Sequence, residues 1–248
     1  VDLLNKATSR RSIFKGAAVV GLGMTVAQQN LIRALAQDAT PTAEGEDIQT
    51  IINIAATAES LAVTLYGHVI DSARNGGYDT EIPDAVVGVL VSARAAEQYH
   101  LEYLLAAGAV PLTTDFTVPD PALLTSTQLI FDTAVQLETA FIAAYTAAAR
   151  RFAELGQTDL VRTSMEVAAV EGEHRVLAAY VAGVRPANNV ALAPALFKTV
   201  GEAAQALTDL GFIGGTGTPV SFPGPLKVDR SSVNLRTPNG KSLACLAS

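Results

Sequence analysis

Six side chains in this sequence have the types and spacing of a metal-ligand set. Glu97-x-x-His100 and Glu171-x-x-His174 each place a carboxylate and an imidazole three residues apart, so on a helix both groups share one face. Glu59 and Glu138 complete the set from stretches whose apolar residues recur at helical spacing. Glu59 lies four residues after Ala55 and seven before Tyr66, and Glu138 falls between Ala134 and Phe141, in line with Phe131 and Tyr145. The Glu97/His100 pair sits between Ala93 and Leu104, and the Glu171/His174 pair between Val167 and Ala178. Acids are normally kept off such apolar faces. Converging in a low-dielectric interior, four unpaired carboxylates would each cost several kcal/mol. Two divalent cations would cancel their charge, with carboxylates bridging and each neutral imidazole capping one ion.

The order Glu, Glu-x-x-His, Glu, Glu-x-x-His, one unit per helix, is the ligand pattern of di-iron and di-manganese carboxylate bundles. With 12 Glu in 248 residues, a given His follows a Glu by three positions about one time in 20, so two of three doing so by chance is about a 1% event. The competing account keeps the carboxyls protonated or pairs them with Arg in the core. Arg94 and Arg175 sit near the right turns, but one position away from a ligand turns a helical side chain by about 100°. His68, nine residues after Glu59, points to the opposite side of its helix and reads as a surface or interhelix histidine. Glu102 and Glu173 point about 200° from the ligand faces and read as solvated or salt-bridged. Tyr66, Tyr103 and Tyr145 follow the ligand faces; core packing with a satisfied hydroxyl is expected, against bonding a carboxylate or passing electrons. Cys245 has no second Cys to pair with and reads as a bystander thiol. A Ser-His-Asp set, a phosphate loop and a zinc-type Cys/His cluster are not apparent.

Four long helices must carry these groups. Apolar residues from Ile48 to Ile70 predict a helix over Asp47–Arg74, stopped at Asn75-Gly76-Gly77. A second begins near Pro83 and runs to Gly108. Residues 109–120 contain Pro111 and Pro119 without helical period and form a connection. Asp120 and Pro121 predict the N-cap and first turn of a third helix reaching about Leu155. A tight turn, Gly156 to Asp159, leads to a fourth helix ending near Ala182. The first and third links are short and join antiparallel neighbours, whereas the middle link of about 12 residues can stretch roughly 40 Å, the length of a 25-residue helix. The expected fold is therefore all-α: a four-helix bundle over residues 37–183, two antiparallel hairpins joined by a long crossover, the ferritin-like arrangement. Residues 184–248 form an irregular C-terminal extension. It holds a short helix from Thr199 to Leu210, then a Gly/Pro-rich arm that wraps the bundle or a neighbouring subunit of a homo-oligomer, or trails as a loose tail.

Residues 1–36 read as an export signal: Arg10-Arg11, an apolar run from Gly16 to Ala27, and a small-x-small cleavage signal at Ala34-Leu35-Ala36. The adjacent arginines resemble the twin-arginine type. This segment carries Lys6, Arg10, Arg11, Lys15 and Arg33 against Asp2, so its removal takes the formal charge from −7 to −11. That balance argues against a nucleic-acid partner, and after signal removal no apolar run reaches the roughly 18 residues of a membrane span. At 49% hydrophobic and 17% charged, the chain is too apolar for disorder.

Taken together, the export signal and the six-residue pattern over about residues 45–183 resemble bacterial exported ferritin-like domain proteins, related to plant desiccation-associated proteins. The resemblance implies a centre of two iron or manganese ions at Glu59, Glu97, His100, Glu138, Glu171 and His174, in the periplasm or outside the cell. The Glu97 and Glu171 carboxylates would bridge, Glu59 and Glu138 would each terminate one ion, and the histidines would complete the shells. It also implies oxidoreductase-type chemistry on Fe²⁺, oxygen or peroxide, of the ferroxidase or catalase kind. The alternative, from the same resemblance, is a non-catalytic structural or stress-protective protein.

Overall fold

In the computed structural model, residues 45–224 and residues 231, 233, 234 and 238 are described. The expected export signal and Cys245 lie outside the described residues. Five α-helices dominate them: α1 (Ile48–Arg74), α2 (Asp84–Ala106), α3 (Thr127–Glu154), α4 (Thr158–Val181) and α5 (Val200–Asp209). Two short strands, β1 (Asp115–Val118) and β2 (Thr218–Ser221), and a 3-10 turn at Pro121–Leu124 complete the set. The described residues are thus mostly helical, as composition and periodicity predict.

Local chemistry sets the helix ends. Asp47 caps α1 by accepting the Thr50 amide at 2.7 Å. The third long helix starts later than expected. Asp120 does act as a cap, accepting the Ala122 N–H at 2.9 Å, but it opens only the 3-10 turn, and α3 begins after Ser126. The break has a visible cause: the Thr127 amide is anchored to the Asp79 carboxylate (2.9 Å) and its hydroxyl to the Thr80 carbonyl (2.8 Å), turning the chain into the new helix. Gly156, at φ +71°, closes α3 so that the Gln157 amide returns to the Phe152 carbonyl. A side chain there would strain the three-residue link to α4.

The long helices form two antiparallel pairs. Gln49, at the start of α1, donates to the Gly108 carbonyl just past the end of α2, and Gln128, at the start of α3, donates to Ala182 just past the end of α4. α1 also packs on α3, and α2 on α4. The connection between α2 and α3 runs the length of the molecule, from the Gln49 end to the Asp79 end. A ladder of polar side chains on α1 guides its departure: Asn53 accepts the Val110 amide at 2.7 Å and Thr57 the Leu112 amide at 2.8 Å. Farther on, this connection forms β1, a strand that the sequence reading did not anticipate.

β1 finds its partner in the C-terminal extension. Asp115 pairs with Ser221 and Val118 with Thr218, antiparallel, and the Thr117 amide donates to the Phe212 carbonyl. Phe116 and Phe212 are both buried in the main apolar cluster. Of the two readings of the extension, the wrapped arm therefore holds for the part described, through residue 224. α5 lies across one end of the helices, contacting α1 and α3, and its first amides at Val200 and Gly201 donate to the Glu46 carboxylate.

By length and composition α1 could cross a membrane. In this fold it buries most of that apolar surface against its neighbours, with Glu59 inside.

Candidate metal centre

All six sequence-predicted residues converge between the four long helices. Glu97 and Glu171 are completely inaccessible, Glu59 is 2% and Glu138 3% exposed, His174 is buried, and His100 is partly buried at the α2–α4 face. They fall into two overlapping groups, Glu59–Glu97–His100–Glu171 and Glu97–Glu138–Glu171–His174, whose candidate ligand atoms lie within 4.8 Å of one another. Glu97 and Glu171 belong to both groups. Each group adds one further carboxylate and one imidazole.

The helix directions explain this arrangement. α2 and α4 run antiparallel, so the two Glu-x-x-His units face each other head to tail. His174 Nδ1 lies 2.6 Å from Glu97 and 3.1 Å from its own neighbour Glu171, while His100 Nδ1 lies 3.4 Å from both Glu97 and Glu171. His100 also reaches Glu59 on α1 at 3.5 Å. Both imidazoles thus turn the same nitrogen into the cluster.

α1 and α3 are related in the same way through their tyrosines. Tyr66 on α1 donates to Glu138 on α3 at 2.7 Å, and Tyr145 on α3 donates to Glu59 on α1. Two of the three tyrosines that the sequence suggested as packing residues are therefore carboxylate donors. Each follows the glutamate of its own helix by seven residues, two turns along one face, so a repeated Glu-x6-Tyr spacing was the available signal. Tyr66 also meets the His174 ring edge-on, with centroids 5.9 Å apart.

The electrostatics are those of charges kept from water. Burial raises the Glu59 and Glu138 carboxyls well above the ordinary carboxylate range, and the neighbouring acids add to the effect. Burial opposes ionisation of Glu97 too, but His174 and His100 outweigh it and hold that carboxyl well below its usual range. Against the same desolvation, the facing carboxylates lift His100 and His174 well above the ordinary imidazole range. Burial, followed by the adjoining glutamates, pushes Tyr66 and Tyr145 upward and keeps them as donors.

Pairing within the cluster does not satisfy it. Glu59 Oε2, both oxygens of Glu97, Glu138 Oε2, Glu171 Oε1 and His100 Nδ1 are buried without a hydrogen-bond partner. Glu97 Oε1 lies within ion-pair distance of His174, yet the angles do not make a hydrogen bond. Among the described residues no Lys or Arg enters ion-pair distance of the six. Arg175 instead donates to Thr139, which disposes of it as a counter-charge. Buried lone pairs from four carboxylates and two imidazoles, all aimed at one volume, are the donor set that a pair of first-row divalent ions accepts. The residues present therefore fit the group that the sequence implies.

The remaining candidates lie elsewhere. His68 is exposed, Glu173 is exposed, and Glu102 accepts from Gln98 at 2.9 Å. A cleft of about 460 Å³ between α2 and α4 reaches both His100 and His174, with Ser92, Tyr99 and Glu173 along it and Asn234 at its rim. It leads to the cluster on the histidine side along a wall more apolar than polar. Comparison of the chain with protein families, with curated proteins and with solved structures returned no match.

Proposed function

We propose that this chain is an exported ferritin-like four-helix bundle protein whose core binds two iron or manganese ions and supports oxidoreductase-type chemistry on Fe²⁺ or peroxide. The observation that carries the reading is the overlap of the two ligand groups. Two carboxylates common to both, with one further carboxylate and one imidazole on each side, make a symmetric cradle for two cations.

In this reading Glu97 and Glu171, common to both groups, would be shared by the two ions, Glu59 and Glu138 would each serve one, and His100 and His174 would complete the set. Two ions held by these residues would supply one-electron redox chemistry there. The protein's own residues do the rest. Tyr66 and Tyr145 orient the terminal carboxylates through their hydroxyls, a positioning role of the kind that tunes metal ligands. The surrounding apolar cluster restricts water, and the α2–α4 cleft reaches the cluster on the histidine side.

Elemental analysis of protein from the native host tests the reading. About two transition ions per chain, lost in a Glu97→Ala/Glu171→Ala variant, support it, and retention of no metal removes it. Oxygen evolution from peroxide, against oxygen consumption with Fe²⁺, separates catalase from ferroxidase activity. Replacing Arg10 and Arg11 by Lys tests export, which rests on the pattern of residues 1–36. The close His174–Glu97 pair, which balances part of the charge unaided, favours one alternative, a metal-free structural protein of the stressed or dry cell exterior. Absence of metal from the native protein would leave that alternative standing.

A further inference from the structure

We propose that the helical interior contains a second binding site, a dry chamber against the Glu59–His100 half of the cluster that takes up a small uncharged apolar molecule. The class is that of dioxygen or a short hydrocarbon. Binding there needs no metal; only its bearing on turnover rests on the metal-centre reading.

The first observation is the chamber's chemistry. It has a volume of about 90 Å³ and a lining that is almost wholly hydrocarbon. Ile51, Ala55, Ala140, Ala144, Ala148 and Phe152 supply much of its wall. His100 and Tyr145 bring it to the cluster, and α5 contributes at Val200. Tyr145 spends its hydroxyl proton on Glu59. A water molecule needs two to four polar partners, and cavities with walls like these stay dry and take up apolar solutes. Hydrogen peroxide, a donor and acceptor at both ends, would lose its hydrogen bonds on entry. Room of this size suits about three or four heavy atoms, because a cavity of about 150 Å³ accommodates benzene.

The second observation is asymmetry. Glu138, Tyr66 and His174 repeat the same groups on the other side of the cluster, but the void beside Glu138 and Tyr66 is only about 40 Å³. Leu65, Leu90, Ile130, Phe131 and Leu137 line that smaller void. More space is therefore kept on one side of a site that is otherwise alike on both. An empty void forfeits dispersion contacts, and a small apolar guest restores them.

Xenon is the probe. Metal-stripped protein is titrated with dissolved xenon and followed by ¹²⁹Xe NMR, with Ala144→Leu and Ala148→Val as two separate ways to fill the chamber. The expected result is a saturable xenon shift in the wild type, weakened at least about 10-fold in whichever variant folds, because the guest's volume is taken. Dioxygen and propane are then tested as competitors; displacement by one, or by both, supports the site and shows which source of this chemistry it accepts. No saturable shift, binding unchanged in the folded variants, displacement by neither gas, or displacement by peroxide would overturn the proposal. Metal content measured on separate native samples keeps the two readings distinct: xenon without metal sinks the metal centre alone, and metal without xenon sinks the chamber alone.

Discussion

Loading the proposed centre with metal should expel protons in a number that the structure allows to be counted. In the metal-free protein, burial holds the Glu59 and Glu138 carboxyls protonated well above their ordinary range, and facing carboxylates hold protons on His100 and His174. Ligation requires ionised carboxylates and a free imidazole nitrogen. Where all four of these groups carry their proton, entry of two divalent ions displaces about four protons per chain. The exchange leaves the buried charge unchanged, +4 for +4, which is what lets it proceed in a medium where net charge is costly. The direction with pH follows. Raised folded-state pKa values mean that protons compete most strongly at low pH, so affinity climbs as pH rises and levels off above those values. With two protons displaced per ion, the slope is about 100-fold in binding constant per pH unit. Calorimetric titration with Mn²⁺ in buffers of different ionisation enthalpy measures the count directly, as the slope of observed heat against buffer heat. A slope near zero at pH 6 would falsify the reasoning, because the six groups would then be either unprotonated beforehand or uninvolved.

Other expectations concern stability and can be read by denaturant unfolding. Tyr66→Phe and Tyr145→Phe each remove a buried donor to a carboxyl and should cost about 1–3 kcal/mol in the metal-free protein; an unchanged midpoint for both would deny the tyrosines their positioning role. Phe212→Ala empties a buried position beside β1, with an expected loss of about 3–5 kcal/mol. A loss below about 1 kcal/mol would show that the extension contributes little to the core. Free Mn²⁺ or Fe²⁺ at 100 times its dissociation constant should add about 2.7 kcal/mol of stability per bound ion, removable by chelator. Equal unfolding curves with and without metal would contradict specific binding to the folded state.

The candidate site was legible because helical periodicity converts sequence position into direction. Knowing that Glu59, Glu97, Glu138 and Glu171 lie on apolar stripes is enough to send all four inward, and the i, i+3 histidines go with them. The crossover was legible too, from chain length alone. What escaped depends on partners distant in sequence. β1 has only four residues, too few for the polar–apolar alternation of Asp115, Phe116, Thr117 and Val118 to stand out, and it pairs with Thr218–Ser221, about a hundred positions on. The start of α3 was misplaced because Asp120-Pro121 is a sound helix opening in isolation, and only the tether from Thr127 to Asp79 and Thr80 shows where the long helix begins. For Tyr66 and Tyr145 the less favoured reading, a bond to a carboxylate, is the one that holds. Which acceptor a buried hydroxyl reaches is a question of helix register across the α1–α3 contact, and one strand of text does not contain it.

The pairing of β1 with β2 also bears on how the protein is made. Asp115 and Ser221 are 106 positions apart, so a ribosome must add the whole of α3, α4 and α5 before the earlier strand meets its mate. Until then the crossover presents open backbone groups, an invitation to association with other nascent chains. Closure of so distant a contact belongs to the slow, late part of folding. Synthesis of this protein should therefore pass through a vulnerable interval that ends when β2 docks.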